Sequence, residues 1–271
     1  MDLLCCSYAI SAVNESQNGT VYLVGAGPGD PNLLTVKADR LLRQCGALVY
    51  DSLVPKELLD LVVDSCECHF VGKRRGHHSL PQQKINSILV EIASRHSCVV
   101  RLKGGDPFLF GRGAEEAAYL DSHGISVEIV PGITSGIAVP AYVGIPVTHR
   151  LGGSSITFVT GHEEKDKKRP IVNWRGLANA TDGLVIYMGV HNLEYIVDEL
   201  IAGGLNPFTS AAIIQQGTVV GQRLIKAPLN QLVKEVGTLE FISPSIVVIG
   251  QIVDFQVEAC SPDLANVTMP I

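Results

Sequence analysis

Three glycine-bearing segments carry the residue types that could do chemistry. The first is Gly25-Ala26-Gly27-Pro28-Gly29-Asp30, directly after the apolar run Val21–Val24. Glycines behind a buried strand let backbone N–H groups come close to a ligand. The spacing mimics the dinucleotide fingerprint GxGxxG, which makes an NAD-dependent oxidoreductase the rival reading. However, Pro28 falls among the glycines, Pro31 follows the loop, and position 30, where the third glycine belongs, is Asp. Alone, the run also fits a plain tight turn. The second segment, Arg101-Leu102-Lys103-Gly104-Gly105-Asp106-Pro107-Phe108, also leaves a strand end. Two such loops at the carboxyl ends of neighbouring parallel strands are where open α/β sheets bind ligands. Asp106 there could accept hydrogen bonds from a ribose or an ammonium group, or simply close an Asx turn. The third segment, Val71-Gly72-Lys73-Arg74-Arg75-Gly76-His77-His78, is cationic. Such runs are usually solvated faces. Bracketed by glycines, and joined by Arg112, His149 and Arg150, this one could instead bind a polyanion through bidentate Arg contacts.

Other chemistries lose support. The sequence holds no Gly-x-x-x-x-Gly-Lys-Ser/Thr loop, nucleophile elbow or His-Glu-x-x-His, the marks of phosphoryl transfer, serine hydrolysis and zinc proteolysis. Cys66-Glu67-Cys68-His69 could ligate a metal. No second ligand pair follows, and its i, i+2 alternation into Phe70-Val71 reads more simply as one face of a strand, so no metal is expected.

These segments need a scaffold, and the chain supplies one. It has 271 residues, 46% hydrophobic and 18% charged, ample for a packed core. Lys and Arg number 21 against 27 Asp and Glu, a net charge of −6, so a polybasic nucleic-acid binder is not expected. The seven cysteines show no disulfide-framework spacing, which favours a reduced, intracellular setting, the bacterial cytoplasm or the plastid stroma. No uninterrupted apolar run is long enough for a membrane span.

Short β-rich runs alternate with helical patterns, which predicts βα units around a parallel sheet, followed by a second α/β set. Strands are expected at Val21–Val24, Ala47–Tyr50, His69–Val71, Cys98–Leu102 and Val127–Val130. A second set is expected at Ser155–Thr160, Leu184–Met188, Ala211–Gln215, Gln222–Lys226 and Ile246–Ile249. Helical spacing covers Leu34–Gln44, Lys56–Val62, Gln82–Arg95, Ala114–Ser122, Leu193–Ala202 and Leu229–Val236. The expected organisation is a disordered leader over 1–18, an α/β domain over 19–131, a second over 132–255 and a tail over 256–271. The Pro/Gly-rich stretch from Pro131 to Gly153 separates the two.

VYLVGAGPGDPNLLTVKADRLL, VGKRRGHHSLPQQ, VRLKGGDPFLFGRGAEEAAYL, VEIVPGITSGIAVPAYVGIPVTHR, VTGHE, YMGV and IVVIGQIV closely resemble, in order, the uroporphyrinogen-methylating branch of the tetrapyrrole methylase family. The resemblance runs from about Gly19 to Val253. It implies a two-domain α/β homodimer holding S-adenosylmethionine in the cleft between its domains and releasing S-adenosylhomocysteine. The implied reaction is C-methylation of uroporphyrinogen III at C2 and C7 to precorrin-2, for sirohaem or cobalamin. It implies cofactor contacts at Pro28, Gly104, Gly105, Asp106, Leu109, Thr134, Ser135, Met188 and Gly217. Asp51 and Lys73 fall on the positions of proton acceptor and proton donor, and Arg74, Arg75 and His77 lie in the matched basic motif. Ser135 departs from the Ala common at its position, and Gln215-Gln216 precede Gly217 where related sequences vary. A sister methylase acting on the corrin ring, or a non-catalytic tetrapyrrole carrier, are the other readings. Two further expectations follow: at Gly105 only a hydrogen fits and a positive φ bars a branched residue, and the apolar Gly132–Val147 stretch is either a dimer interface or buried within its own subunit.

Overall fold

A computed structural model of the chain describes residues 19–72, 80–162, 172–238 and 243–258. The first half forms strands β1 (Thr20–Gly25), β2 (Ala47–Tyr50), β3 (Glu67–Phe70), β4 (Cys98–Lys103) and β5 (Ser126–Val130). They make one all-parallel sheet in the order β3-β2-β4-β1-β5. The inner strands β1, β2 and β4 are largely buried, and β1 and β2 are near-continuously apolar, as parallel strands covered on both faces are, whereas the edge strands β3 and β5 stay partly exposed. Helix α1 (Val36–Leu42) and the 3-10 turn Lys56–Leu61 cover one face, packing Leu41, Leu42 and Leu58 on Leu48, Val100 and Leu102. Helices α2 (Gln82–Ala93) and α3 (Gly113–Ser122) cover the other, over Leu23, Val49 and Val99.

The second half builds β6 (Ile156–Thr160), β7 (Gly183–Tyr187), β8 (Ser210–Gln215), β9 (Arg223–Pro228) and β10 (Ser245–Gly250) in the order β6-β7-β10-β8-β9. This second sheet is mixed. Only β6 and β7 run parallel, and β10 inserts antiparallel between β7 and β8. Helices α5 (Trp174–Ala180), α6 (Leu193–Ala202) and α7 (Leu229–Thr238) pack on one face. On the other lie α4 (Ser135–Tyr142) and the turn after it, with Val139, then Val143 and Ile145, against Val185, Ala212 and Val248.

Two further differences have local causes. The sequence reading missed α4 because Pro140 sits inside it and its apolar residues lack a one-sided period. The Lys56–Val62 helix is a 3-10 turn over Lys56–Leu61, which buries only Leu58. Of the Gly132–Val147 stretch, Ala138, Val139, Pro140, Val143 and Ile145 are buried within the subunit, while Ile133 and Ile137 remain 37% and 48% exposed.

Candidate ligand cleft

The loops after β1, β4 and β5 meet backbone to backbone. The Ala26 N–H donates to the Lys103 carbonyl at 2.7 Å, and Gly27 and Gly105 exchange N–H···O bonds of 3.2 and 2.7 Å. A Cβ on Gly25 would come within 2.5 Å of the Gly105 carbonyl oxygen, and one on Gly132 within 2.2 Å of the same atom. Neither position has room for a side chain. Asp106 ties the loops together: its Oδ1 accepts the Phe108 N–H at 2.8 Å and its Oδ2 the Gly132 N–H at 3.0 Å. At Gly105 half of the expectation needs correcting and half holds. A Cβ there would meet nothing closer than 3.9 Å, so crowding is not the constraint; the backbone is, with φ +66° in the left-handed region.

The second sheet brings its own turns to this edge. Tyr187, the last residue of β7, is buried with its hydroxyl 2.7 Å from Thr134 Oγ1 and accepting the Gly136 N–H at 2.8 Å. Burial raises its pKa. The Phe110 ring packs against it with centroids 5.0 Å apart. After β8, the Thr218 hydroxyl accepts the Asp30 N–H at 3.0 Å, and Tyr142 Oη donates to Asp30 Oδ2 at 2.7 Å. Burial, then that bond, pushes the Tyr142 phenol up to about 12. Gly217 lies against Val139, where a Cβ would come within 2.3 Å. Among the described residues, the non-glycine positions at positive φ are Phe110, Arg112, Met188, Gln216 and Thr218, all on these loops. Strained backbone of this kind clusters at ligand sites. The edge where the two halves meet is built to hold something.

Asp51 follows β2 at the same edge. Its Oδ1 accepts the Leu53 N–H at 3.1 Å, and its Oδ2 lies 3.5 Å from Arg101 Nη2. Arg101 reaches back to Glu116 Oε1 at 3.3 Å, to which Lys103 Nζ and Gln82 Nε2 also donate at 3.1 and 3.0 Å. Arg101, Lys103 and Glu116 are 3%, 5% and 0% exposed. Burial, the first cause, and the neighbouring Arg101 lower the Lys103 pKa, while Glu116 opposes them.

The structure thus gathers Pro28, Gly104, Gly105, Asp106, Leu109, Thr134, Ser135, Met188 and Gly217 on loops at the facing edges of the two sheets. Arg112 leads into α3 and pairs with Glu115 at 2.6 Å. His149 and Arg150 are not brought to these loops. They sit in the turn before β6, where His149 stacks on Phe255 at 3.8 Å and Ser154 and Ser155 further along donate their N–H groups to Asp182, ahead of β7. Lys73, Arg74, Arg75 and His77 lie outside the described residues. Sequence reasoning missed Tyr142, Tyr187, Thr218 and the Arg101–Lys103–Glu116 cluster. Period two along β4 held one signal, since Arg101 and Lys103 share a face with buried Val99.

Fold and site together define a two-domain α/β protein with a ligand cleft between the edges of its sheets. The chain belongs to the family described as Tetrapyrrole (Corrin/Porphyrin) Methylases, which matches residues 20–233. It is 48% identical over 237 residues to a uroporphyrinogen-III C-methyltransferase of Synechocystis sp., covering 88% of this chain and 90% of that one. It is 47% identical over 238 residues to a siroheme synthase of Pseudomonas paraeruginosa, covering 88% of this chain but only 51% of that longer protein. The crystal structure of uroporphyrin-III C-methyl transferase from Thermus thermophilus complexed with S-adenyl homocysteine superposes with TM-score 0.74 at 37% identity, covering 87% of this chain and 93% of that one.

Proposed function

We propose that this chain transfers methyl groups from S-adenosylmethionine to C2 and C7 of uroporphyrinogen III, giving precorrin-2 for sirohaem or cobalamin and releasing S-adenosylhomocysteine. One observation carries the reading: five loops from two sheets converge on one cleft, and the family match at residues 20–233 runs through all of them. The donor suits this cleft. Side-chain-free backbone at Gly25 and Gly132 and the left-handed turn at Gly105 form a cradle. Pro28, Gly104, Gly105, Asp106, Leu109, Thr134, Ser135, Met188 and Gly217 would hold the donor there. Bound, it supplies an electrophilic methyl group on a sulfonium.

The chain's own task is then orientation and proton removal. Holding a pyrrole β-carbon in line in a dry cleft contributes on the order of 7–11 kcal/mol to lowering a barrier. Attack by that carbon leaves positive charge on the macrocycle, which loss of a proton neutralises. Asp51 takes that proton, with Arg101 beside its carboxylate. The substrate's carboxylates call for cations, a role we give to Lys73, Arg74, Arg75, His77 and Arg112. Lys73 also serves as proton donor.

Asp51→Asn keeps the shape and removes the base. Turnover should fall by about 10²–10⁴ while calorimetric affinity for S-adenosylhomocysteine is retained. A variant that loses stability but keeps its rate would make Asp51 structural and leave the proton to water.

A further inference from the structure

The least expected feature beside the cleft is the buried charge cluster beneath Asp51. A buried ion pair is weak evidence of stability, since desolvating two charges costs about as much as their attraction returns. The cluster therefore calls for another explanation. Arg101 stands between two carboxylates, with Nε 3.3 Å from Glu116 and Nη2 3.5 Å from Asp51. Lys103 stands on the Glu116 side, its Nζ 3.1 Å from both carboxylate oxygens, yet Glu116 Oε2 accepts no aligned hydrogen bond. That oxygen is buried and under-satisfied, so Glu116 would draw in any further donor within reach.

We propose that Lys103 and Glu116 are positioning residues: each satisfies the charge of the other, which leaves Arg101 free to hold the Asp51 carboxylate at the cleft. This rests on the reading of Asp51 as the proton acceptor. The geometry gives the consequence of removing either partner. Without Lys103, Glu116 keeps Arg101 as its one cation among the described residues and competes with Asp51 for the guanidinium. Without Glu116, two buried cations face the one carboxylate of Asp51, drawing it inward and weakening it as a base. Removing both restores a one-to-one pairing of Arg101 with Asp51.

The test is a two-by-two cycle of Lys103→Met, Glu116→Gln and the double variant, run beside Asp51→Asn. Methyl transfer is followed by mass, and S-adenosylhomocysteine binding by calorimetry. Each single change should lower kcat at least tenfold with donor affinity kept within about twofold. The double variant should recover to within about threefold of the parent, a strongly non-additive result for residues in contact. Should a single variant not fold, the double variant decides alone: kcat near the parent supports the pairing and a tenfold loss overturns it. A role in packing alone would leave the double variant as slow as the worse single one, overturning the proposal. Single variants within twofold of the parent overturn it too. If Asp51→Asn keeps its rate, the reading of Asp51 fails, and this inference falls with it. If Asp51→Asn is slow while Lys103→Met and Glu116→Gln are not, only this inference fails.

Discussion

At the scale of single residues, the cleft is shaped as much by missing side chains as by present ones. Gly25 and Gly132 are glycine because three loop backbones pass there with no space for a methyl group. Gly105 is different: space exists, but its φ of +66° disfavours any branched residue. Gly105→Val should therefore act by turning the Gly104–Asp106 backbone out of its ligand-facing shape. We expect affinity for S-adenosylhomocysteine in calorimetry to fall at least tenfold in a protein that still folds; unchanged affinity would place this turn away from the donor. Asp106 illustrates a second point. Its Asx turn at Phe108 coexists with a bond to Gly132, so one carboxylate closes its own loop and fastens the next.

At the scale of elements, strand β3 shows how an edge is secured. Glu67 on β3 accepts hydrogen bonds from His96 at 2.7 Å and His69 at 2.8 Å, and pairs with Arg95 at 3.2 Å. The bonds from His96, then His69, hold its carboxyl down at about 2. A folded pKa below the unfolded one stabilises above the unfolded value, near 4.5, and that stabilisation is lost as pH falls towards 2. Glu67→Gln should therefore flatten the fall in melting temperature between about pH 5 and pH 2; a parallel fall in both proteins would deny Glu67 this role. The sequence made the elements of both halves legible wherever a period or a composition marked them. All ten strands lie within a few residues of their expected places, and Ala47–Tyr50 and Leu193–Ala202 have their expected ends. What it did not reveal was long-range: β10 as an antiparallel insert depends on pairing partners 30 or more residues away, which no local pattern encodes. Helix α4 was hidden by Pro140, and the buried cluster by the ordinary look of charged residues until β4 is seen to be covered on both faces.

At the scale of the whole molecule, the two sheets share one cleft because side chains cross between them. Asp30 binds both Tyr142 and Thr218, and Tyr187 receives Thr134 and Phe110. Among the described residues no helix is long and apolar enough to cross a membrane. A homodimer is the assembly we propose, so light scattering at micromolar concentration should read twice the 29.0 kDa of the chain; a 29.0 kDa particle would contradict it. The central claim is the reaction itself, and mass spectrometry of uroporphyrinogen III tests it most directly. Incubated without oxygen with this protein and S-adenosylmethionine, the macrocycle should gain two methyl groups. A macrocycle that gains none, with the protein folded and the donor bound, would contradict the account.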